Sequence, residues 1–426
     1  MEFNVSKQLF AHIDCDCFYA SCEVMRDPRL ADKCVCVGWD IIITSNYKAR
    51  KYWVKVWTPI WEAERLIPKK DFVMLPPDMS FYWQTSDRMN SYLSQWSNGI
   101  ERFSIDESWA DITGIPFYKW MTDRDFSLFL QREIKQKIGI PVSIGVSNTR
   151  LRAKILSEIH KPMGVCVWPD SYSFLDNAGR LDFGDIPFIG PASQEKLKYI
   201  VPTWNIEWFL GVGFWKLKEM LGKNWTDVWL ELRWVNAFHP KRQETDKSIS
   251  ATRSFNYNKT SEKAFVWNHL MMNFERAFER LVEKNLETNH IVISFRDKER
   301  RVFGLDKRLG RHTQRKNEII GIISALFEQS YSPEVIYRTT GVIFTGLEQN
   351  TPKQYSLEEQ AYIAELVKDQ KLEQIINGIN KKFGRSTLTR GSSGTIDPRY
   401  MSEHLWGNAV DEEVSRLKYM TTIKCS

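Results

Sequence analysis

The sequence predicts an α+β protein of several domains, and three observations carry that reading. The chain has 426 residues, and at about 150 residues per domain that makes roughly three. Short apolar or alternating runs are interleaved with helical windows as far as residue 169, the mixed periodicity left by strands and amphipathic helices. Beyond a polar, Pro-containing stretch at residues 236–247, which reads as a linker, elements follow in the order β-α-β-β-α-β. Apolar residues at 42% and charged residues at 26% are ordinary for a globular protein with real cores.

Taken in order, residues 9–14 form a short buried strand and residues 15–23 start a helix. Asp14, ending that strand beside a helix start, suits a metal or phosphate site and equally a helix cap. Residues 34–37 and 40–44 look like strands. Residues 46–51 then open a helix with Tyr47, Lys48, Arg50 and Lys51, a clamp for polyphosphate or a solvated face. Residues 62–66 and 86–96 are helical. The second of these leads to Phe103–Thr113, where Asp106 and Glu107 sit between two alternating runs. A straight strand points neighbours to opposite faces, but a hairpin tip or bulge projects both carboxylates into one space. There they need a counter-ion, and a divalent cation such as Mg²⁺ suits hard oxygen donors. Alone, the pair reads more simply as an exposed acidic turn. Residues 125–138 form an amphipathic helix and 141–146 a strand. Residues 147–160 form a helix with Arg150, Arg152 and Lys154, ended by Lys161-Pro162-Met163-Gly164.

The character changes near residue 169. The turn at 185–191 resembles that of a helix-hairpin-helix, with Ile189 and Gly190 placed to offer backbone amides to a DNA phosphate. Phe188 stands where such turns usually carry Gly. In the final unit, strands at 249–255, 290–296, 301–305 and 338–344 alternate with helices at 261–286 and 317–330. Arg296, Lys298, Arg300, Arg301, Lys307, Arg308, Arg311, Arg315 and Lys316 face only Asp297, Glu299 and Asp306 there, an excess equal to the +6 of the whole chain. Such local concentration is the footprint of a nucleic-acid backbone. A polar tail with a helix at 357–383 follows.

Seven cysteines without a CxxC pair fit buried, reduced thiols of a cytoplasmic protein better than disulfides or a zinc site. No apolar run reaches the ~18–20 residues of a membrane span, and no membrane partner is expected.

Asp14, Asp106 and Glu107 form one three-carboxylate set when the motifs are taken together. Ile13-Asp14-Cys15-Asp16-Cys17-Phe18-Tyr19-Ala20-Ser21-Cys22-Glu23 and Ser104-Ile105-Asp106-Glu107 resemble the first two motifs of Y-family (translesion) DNA polymerases. Thr44–Lys51 resembles their fingers motif. Gly145-Val146-Ser147, Ala153-Lys154 and Lys161-Pro162-Met163-Gly164 resemble the end of their palm. Ser254-Phe255, Thr340-Gly341-Val342 and Gly384-Arg385-Ser386-Thr387-Leu388 lean toward the UmuC type, the polymerase V catalytic subunit, while the fingers are nearer the DinB type.

The resemblance implies a right-hand polymerase. Its parts would be a ferredoxin-like palm (1–22 and 79–168), small fingers (23–78), a helical thumb (169–235), the linker, a little finger (248–347) and a tail (348–426). It implies that Asp14, Asp106, Glu107 and the Cys15 backbone carbonyl hold two Mg²⁺ ions, with Mn²⁺ as a substitute. Tyr47, Arg50 and Lys161 would grip the dNTP triphosphate, and Tyr19 would act as a steric gate against a 2′-hydroxyl. Primer-template DNA would lie against Ile189, Gly190 and the basic residues 296–311. Asp16 and Asp111 are expected to be structural. Gln354-Tyr355-Ser356-Leu357-Glu358 looks like a degenerate sliding-clamp peptide, broken by Glu358. The UmuC side implies a UmuD-type accessory subunit and a role in the SOS response. A non-catalytic DNA-binding scaffold is the alternative.

The family usually has Gly where this chain has Trp53, Trp57 and Trp234. The expectation is that a codon read here as Trp specifies Gly in the source organism, which also accounts for the 17 Trp.

Overall fold

The computed structural model describes residues 8–169, 186–198, 206–238, 246–255 and 260–350, with a few positions between 372 and 382. These belong to two compact units, one running to Pro240 and one beginning at Lys241. The clamp-like segment, the helix expected at 357–383 and the Gly384–Leu388 segment lie outside the described residues, the few positions apart.

The first unit begins with β1 (Phe10–Cys15), buried throughout, and α1 (Phe18–Arg26). β2 (Cys34–Gly38), β3 (Ile42–Ser45), α2 (Tyr47–Arg50), α3 (Ile60–Leu66) and β4 (Phe72–Leu75) follow. These three strands form a separate sheet in the order β3-β2-β4, with its own small core. The chain continues through α4 (Met79–Leu93), β5 (Gly99–Arg102), β6 (Glu107–Asp111), α5 (Ile115–Tyr118) and α6 (Asp123–Lys137). Next come β7 (Val142–Ser147), α7 (Arg150–Ile159) and β8 (Val165–Val167). They complete a five-stranded sheet of order β5-β6-β1-β7-β8.

β1 and β7 are buried on both faces, and β7 places only serines and a glycine between its apolar residues. α6 follows amphipathic logic: Phe126, Leu130 and Ile134 are buried at four-residue spacing. The Thr122 side chain accepts the Asp125 N–H, and acids start the helix while lysines end it. Gly145 in β7 is the cross-strand partner of His12, and α7 crosses directly above it. A Cβ at Gly145 would come within 2.1 Å of the Ala153 carbonyl oxygen and 2.3 Å of the Ser157 nitrogen.

The helices α8 (Pro191–Lys198), α9 (Ile206–Gly211), α10 (Phe214–Leu221) and α11 (Lys223–Leu232) follow. They share a core with Leu151, Ile155 and Leu156 of α7. Glu231 ties the two parts: its buried carboxylate accepts the N–H groups of Leu151, Ala237 and Phe238.

The second unit is β9 (Ser248–Ser254), α12 (Lys263–Glu283), β10 (Leu286–Asp297), β11 (Val302–Thr313), α13 (Lys316–Ser330) and β12 (Tyr337–Gln349). The β-α-β-β-α-β order is as the sequence indicates, in an antiparallel sheet ordered β11-β10-β12-β9. The middle strands are longer than expected. β11 continues through the basic residues to Thr313 because an edge strand open to water needs no apolar alternation. Lys307, Arg308 and Arg311 are therefore strand residues. Lys307 pairs with buried Ile291 and Arg308 with His290, so they point to opposite faces. Lys316 leaves the basic patch, being buried against Glu275 Oε2 at 2.8 Å.

All six described cysteines are buried and free. Trp53, Trp57 and Trp234 have φ of 66°, 72° and 67°, and Trp120 joins them at 56°.

Gly145→Ala is expected to destabilise the protein by about 1–3 kcal/mol through overpacking beneath α7. Chemical denaturation measures this, and an unchanged midpoint would show that α7 yields freely.

Candidate active site

The site grows from one ladder. β1 and β6 are antiparallel and place Asp14 directly opposite Glu107, with Ser143 of β7 on Asp14's other side. Alternation along β1 puts His12 on the same face as Asp14. Asp106 lies in the bend before β6, where its carbonyl accepts the Cys15 N–H at 2.9 Å. His12, Asp14 and Glu107 bring ligand atoms within 4.8 Å of one another. Asp106 does not join them: its carboxylate instead accepts the Ser104 hydroxyl. The expected three-carboxylate set is thus two carboxylates face to face with the third beside them. The bend gives Asp106 a rotamer closed on its own turn.

Two ammonium groups neutralise the pair. Lys161 Nζ lies 2.8 Å from Asp14 Oδ1 and 2.6 Å from Glu158 Oε1. Lys154 pairs with Glu107 Oε2. Burial pushes the Asp14 carboxyl up to about 7, although Lys161 pulls it down. Burial would also raise Glu107, but its contacts with His12 and Lys154 together take it down to about 2. Burial opposes the charge on Lys161, yet Asp14 and Glu158 hold its pKa above the ordinary lysine value. His12, fully buried, has its pKa lowered by that burial and is the neutral imidazole. Asp16 is structural, accepting the Ser143 hydroxyl at 2.9 Å and the Met163 N–H at 2.7 Å. Asp111 accepts Thr113 N–H and Oγ1 within its own turn.

Tyr47 opens α2 after an Asn46 cap. Arg50, exposed, sits over the Tyr47 ring at 4.9 Å and donates to the Ser45 carbonyl. Tyr19, half-buried, stacks on Tyr82 with centroids 4.5 Å apart and planes 13° from parallel. The Tyr82 hydroxyl donates to Glu23 Oε1 at 2.6 Å. Ile189 is buried and Gly190 exposed in the turn before α8. Phe188 adopts φ 74° there, its ring edge-on to Phe103 and Phe238. In the second unit Arg296, Lys298, Arg300, Arg301, Lys307, Arg308 and Arg311 are all exposed.

Sequence reasoning missed His12, Lys154, Ser157, Glu23 and Tyr82 as parts of the site. Period two in β1 marks His12 as Asp14's face-mate. The spacing 154, 157 marks one helix face, and Lys161 follows just past the end of α7.

Glu23 has a pH consequence. Burial raises its carboxyl from 4.5 to about 7 against the Tyr82 hydrogen bond. A folded pKa above the unfolded one gives stability that is full below pH 4.5 and lost as pH rises through about 7. Glu23→Gln is expected to flatten that fall of Tm, so the variant gains on the parent above pH 7. Parallel Tm–pH profiles would sink this assignment.

Residues 13–158 match the model of the impB/mucB/samB family, and residues 246–357 match that of the impB/mucB/samB family C-terminal domain. "DNA polymerase IV" of Bacillus anthracis is 27% identical over 408 residues, covering 90% of this chain and 93% of that protein. "DNA polymerase IV" of Ureaplasma parvum is 28% identical over 371 residues, 83% of this chain and 99% of its own. These names go with the DinB side of the resemblance. A solved structure, the Y-family DNA polymerase chimera Dbh-Dpo4(243-245)-Dbh, matches with TM-score 0.67 over 80% of this chain and 100% of its own. At 22% identity it bears on the fold, and the fold agrees. The two family models together span more than half of the sequence, and the chain belongs to the impB/mucB/samB family of Y-family DNA polymerases.

Proposed function

We propose that this polymerase adds dNTPs to a primer 3′-hydroxyl under template direction and does so past damaged bases, with low fidelity. The observation that carries the catalytic part is the buried Asp14–Glu107 pair, with Asp106 adjacent, held by lysine counter-ions. Opposed carboxylates whose charge is balanced by two ammonium groups fit a divalent-cation site, since a cation supplies the same compensation. Asp14, Asp106, Glu107 and the Cys15 carbonyl would hold two Mg²⁺, with Mn²⁺ as substitute. Held there, such ions would supply a lowered pKa for the 3′-hydroxyl and charge compensation for the triphosphate.

The chain's own residues do the rest. Lys161, Tyr47 and Arg50 bind the triphosphate, its charge meeting two cations and a phenol. Tyr19, braced by Tyr82, lies against the sugar and excludes a 2′-hydroxyl. The Ile189–Gly190 turn and the basic residues of β10 and β11 bind DNA phosphates. Damage tolerance is supported by the family rather than by any one residue, and an SOS role rests on the UmuC-type resemblance of the sequence alone. A clamp contact through Gln354 to Leu357 and a UmuD-type accessory subunit rest on sequence alone. No described helix is long and apolar enough to cross a membrane.

Primer extension with Mg²⁺ on intact and abasic templates tests this. Asp106→Ala is expected to lose about 10³-fold or more in rate, the scale of charge stabilisation in phosphoryl transfer, with DNA binding retained. Equal inertness of parent and variant would favour a DNA-binding scaffold. Arg296 and Arg308 share the open face of the sheet, opposite Val302 and His290. Replacing both by Ala is expected to reduce the salt slope of duplex binding by about 2, at ~0.9 per phosphate contact. An unchanged slope would remove that face from the DNA interface.

A further inference from the structure

Glu107 is held by one oxygen. His12 Nε2 lies 3.2 Å from Oε2 and Lys154 pairs with the same atom. Among the described residues Oε1 has no such contact. The other ring nitrogen of His12, Nδ1, is 2.8 Å from the Ser157 hydroxyl. The Ser157 hydroxyl also lies 2.7 Å from the Lys154 carbonyl, and its one proton serves either acceptor. With Nε2 3.2 Å from Oε2, two facing lone pairs would repel, so the neutral ring carries its proton on Nε2 and Ser157 turns its own to Nδ1. The Nε2–H is not aligned as a hydrogen bond and acts on Oε2 through its dipole at 3.2 Å; with the proton there the ring has no lone pair for a cation, so His12 acts on Glu107 rather than on metal.

We propose that Ser157, His12 and Lys154 are positioning residues that pin Glu107 Oε2 and leave Oε1 as its single donor to the divalent cation. This rests on the polymerase reading, and activity of the parent chain tests that reading separately. Partners behind a metal ligand are typically worth 10–100-fold in affinity or activity. His12→Leu removes the donor, while His12→Gln keeps an amide N–H near the Nε2 position.

Mn²⁺ binding to the protein–DNA complex is read by electron paramagnetic resonance, and kcat and KM for dNTP by primer extension. His12→Leu is expected to weaken Mn²⁺ binding and lower kcat about tenfold or more, leaving KM for dNTP and DNA affinity within about twofold. His12→Gln recovers most of the loss. A folded His12→Leu with parental Mn²⁺ binding overturns the proposal, as does a loss that Gln leaves unrepaired. Should His12→Leu fail to fold, Ser157→Ala, which touches the ring and not the carboxylate, is held to the same readouts: weaker Mn²⁺ binding supports the proposal and unchanged binding overturns it.

A second, independent observation concerns the backbone. Nine described non-glycine residues have positive φ, and four are Trp (Trp53, Trp57, Trp120, Trp234), although Trp makes up only 17 of 426 residues. The other five have local reasons. Cys17 is the N-cap of α1 beside the carboxylates, and the Met163 N–H donates to Asp16. Phe188 is wedged between two rings. Asn285 follows α12, where Asn is tolerated, and Arg300 turns the β10–β11 hairpin. The tryptophans have weaker ones: Lys55 lies 5.9 Å from the Trp53 ring and Arg152 5.4 Å from that of Trp234, cation contacts that do not require a left-handed backbone. Trp53, Trp57 and Trp120 are 77%, 72% and 94% exposed, and the buried Nε1 of Trp234 has no hydrogen-bond partner.

Two of them occupy a position made for glycine. After α11, the Val235 N–H donates to the Leu230 carbonyl and the Trp234 N–H to Glu231. After α5, the Met121 N–H donates to the Pro116 carbonyl. These six-to-one bonds define Schellman ends, with Trp234 and Trp120 at the left-handed residue where Gly is usual. The chain also has only 22 Gly, below the roughly 7% average.

We infer that positions 53, 57, 120 and 234 are glycine in the polypeptide the source organism makes, one codon being read there as Gly and here as Trp. Mass spectrometry of peptides from the native protein is expected to show Gly at all four, and Trp in those peptides overturns the inference. In recombinant protein, the combined W53G/W57G/W120G/W234G change is expected to raise the denaturation midpoint, while Trp229→Gly, inside α11 and buried, lowers it. A lower midpoint for the fourfold variant also counts against the inference.

Discussion

Everything at the site depends on bringing two buried carboxylates opposite each other across one antiparallel ladder. Like charges in directly opposed strand positions repel, and burial removes the water that would screen them. Asp14 and Glu107 would be untenable in β1 and β6 without cations, and the chain supplies two from the same direction. Lys154 and Lys161 both come from α7 or just beyond it. That helix reaches them because Gly145 leaves no Cβ in its path. A glycine in β7 is thus a condition for the electrostatics of β1.

The two carboxylates are not equivalent. Glu107 is held ionised by two donors on one oxygen, whereas burial dominates at Asp14 with one ammonium against it. Lys161 is also shared with Glu158, a largely exposed partner. The Glu107 side is therefore the fixed part of the site. The Asp14–Lys161 side is the part whose partners can exchange, as the proposed contact of Lys161 with a triphosphate would require.

Much of this was legible in the sequence, for reasons that differ by element. The second unit declared itself because its helices carry a wide apolar stripe, with Phe274, Phe278 and Leu281 buried, and the intervening strands have no competing period. Asp14, Asp106 and Glu107 were found because adjacent carboxylates at strand ends are chemically conspicuous. The Asp106 rotamer was not legible, since a two-residue hydrogen bond to Ser104 is a matter of side-chain geometry. Nor was the extent of β11, because an exposed basic edge strand has the composition of a loop. His12 was passed over since one histidine in an apolar strand carries no signal until its cross-strand neighbours are known.

α7 also shows why the carboxylate-bearing face of the sheet and the helices after it are not mechanically independent. One side of the helix presents Lys154 and Ser157 to β1 and β6, and the other gives Leu151, Ile155 and Leu156 to the core of α8–α11. Its first turn lacks a side-chain cap of its own at Thr149. The Glu231 carboxylate from α11 serves instead, accepting the Leu151 N–H while also holding Ala237 and Phe238. A carboxylate at a helix N-terminus is favourable both as acceptor and against the helix dipole. Because Glu231 is fully buried, that cap cannot be replaced by water when the helices shift. Any movement of α11 that breaks it leaves a buried charge and an orphaned N–H at the start of α7. Such a movement is resisted in proportion to that cost, and α7, with the lysines that neutralise Asp14 and Glu107, stays in register with the helical part of its unit.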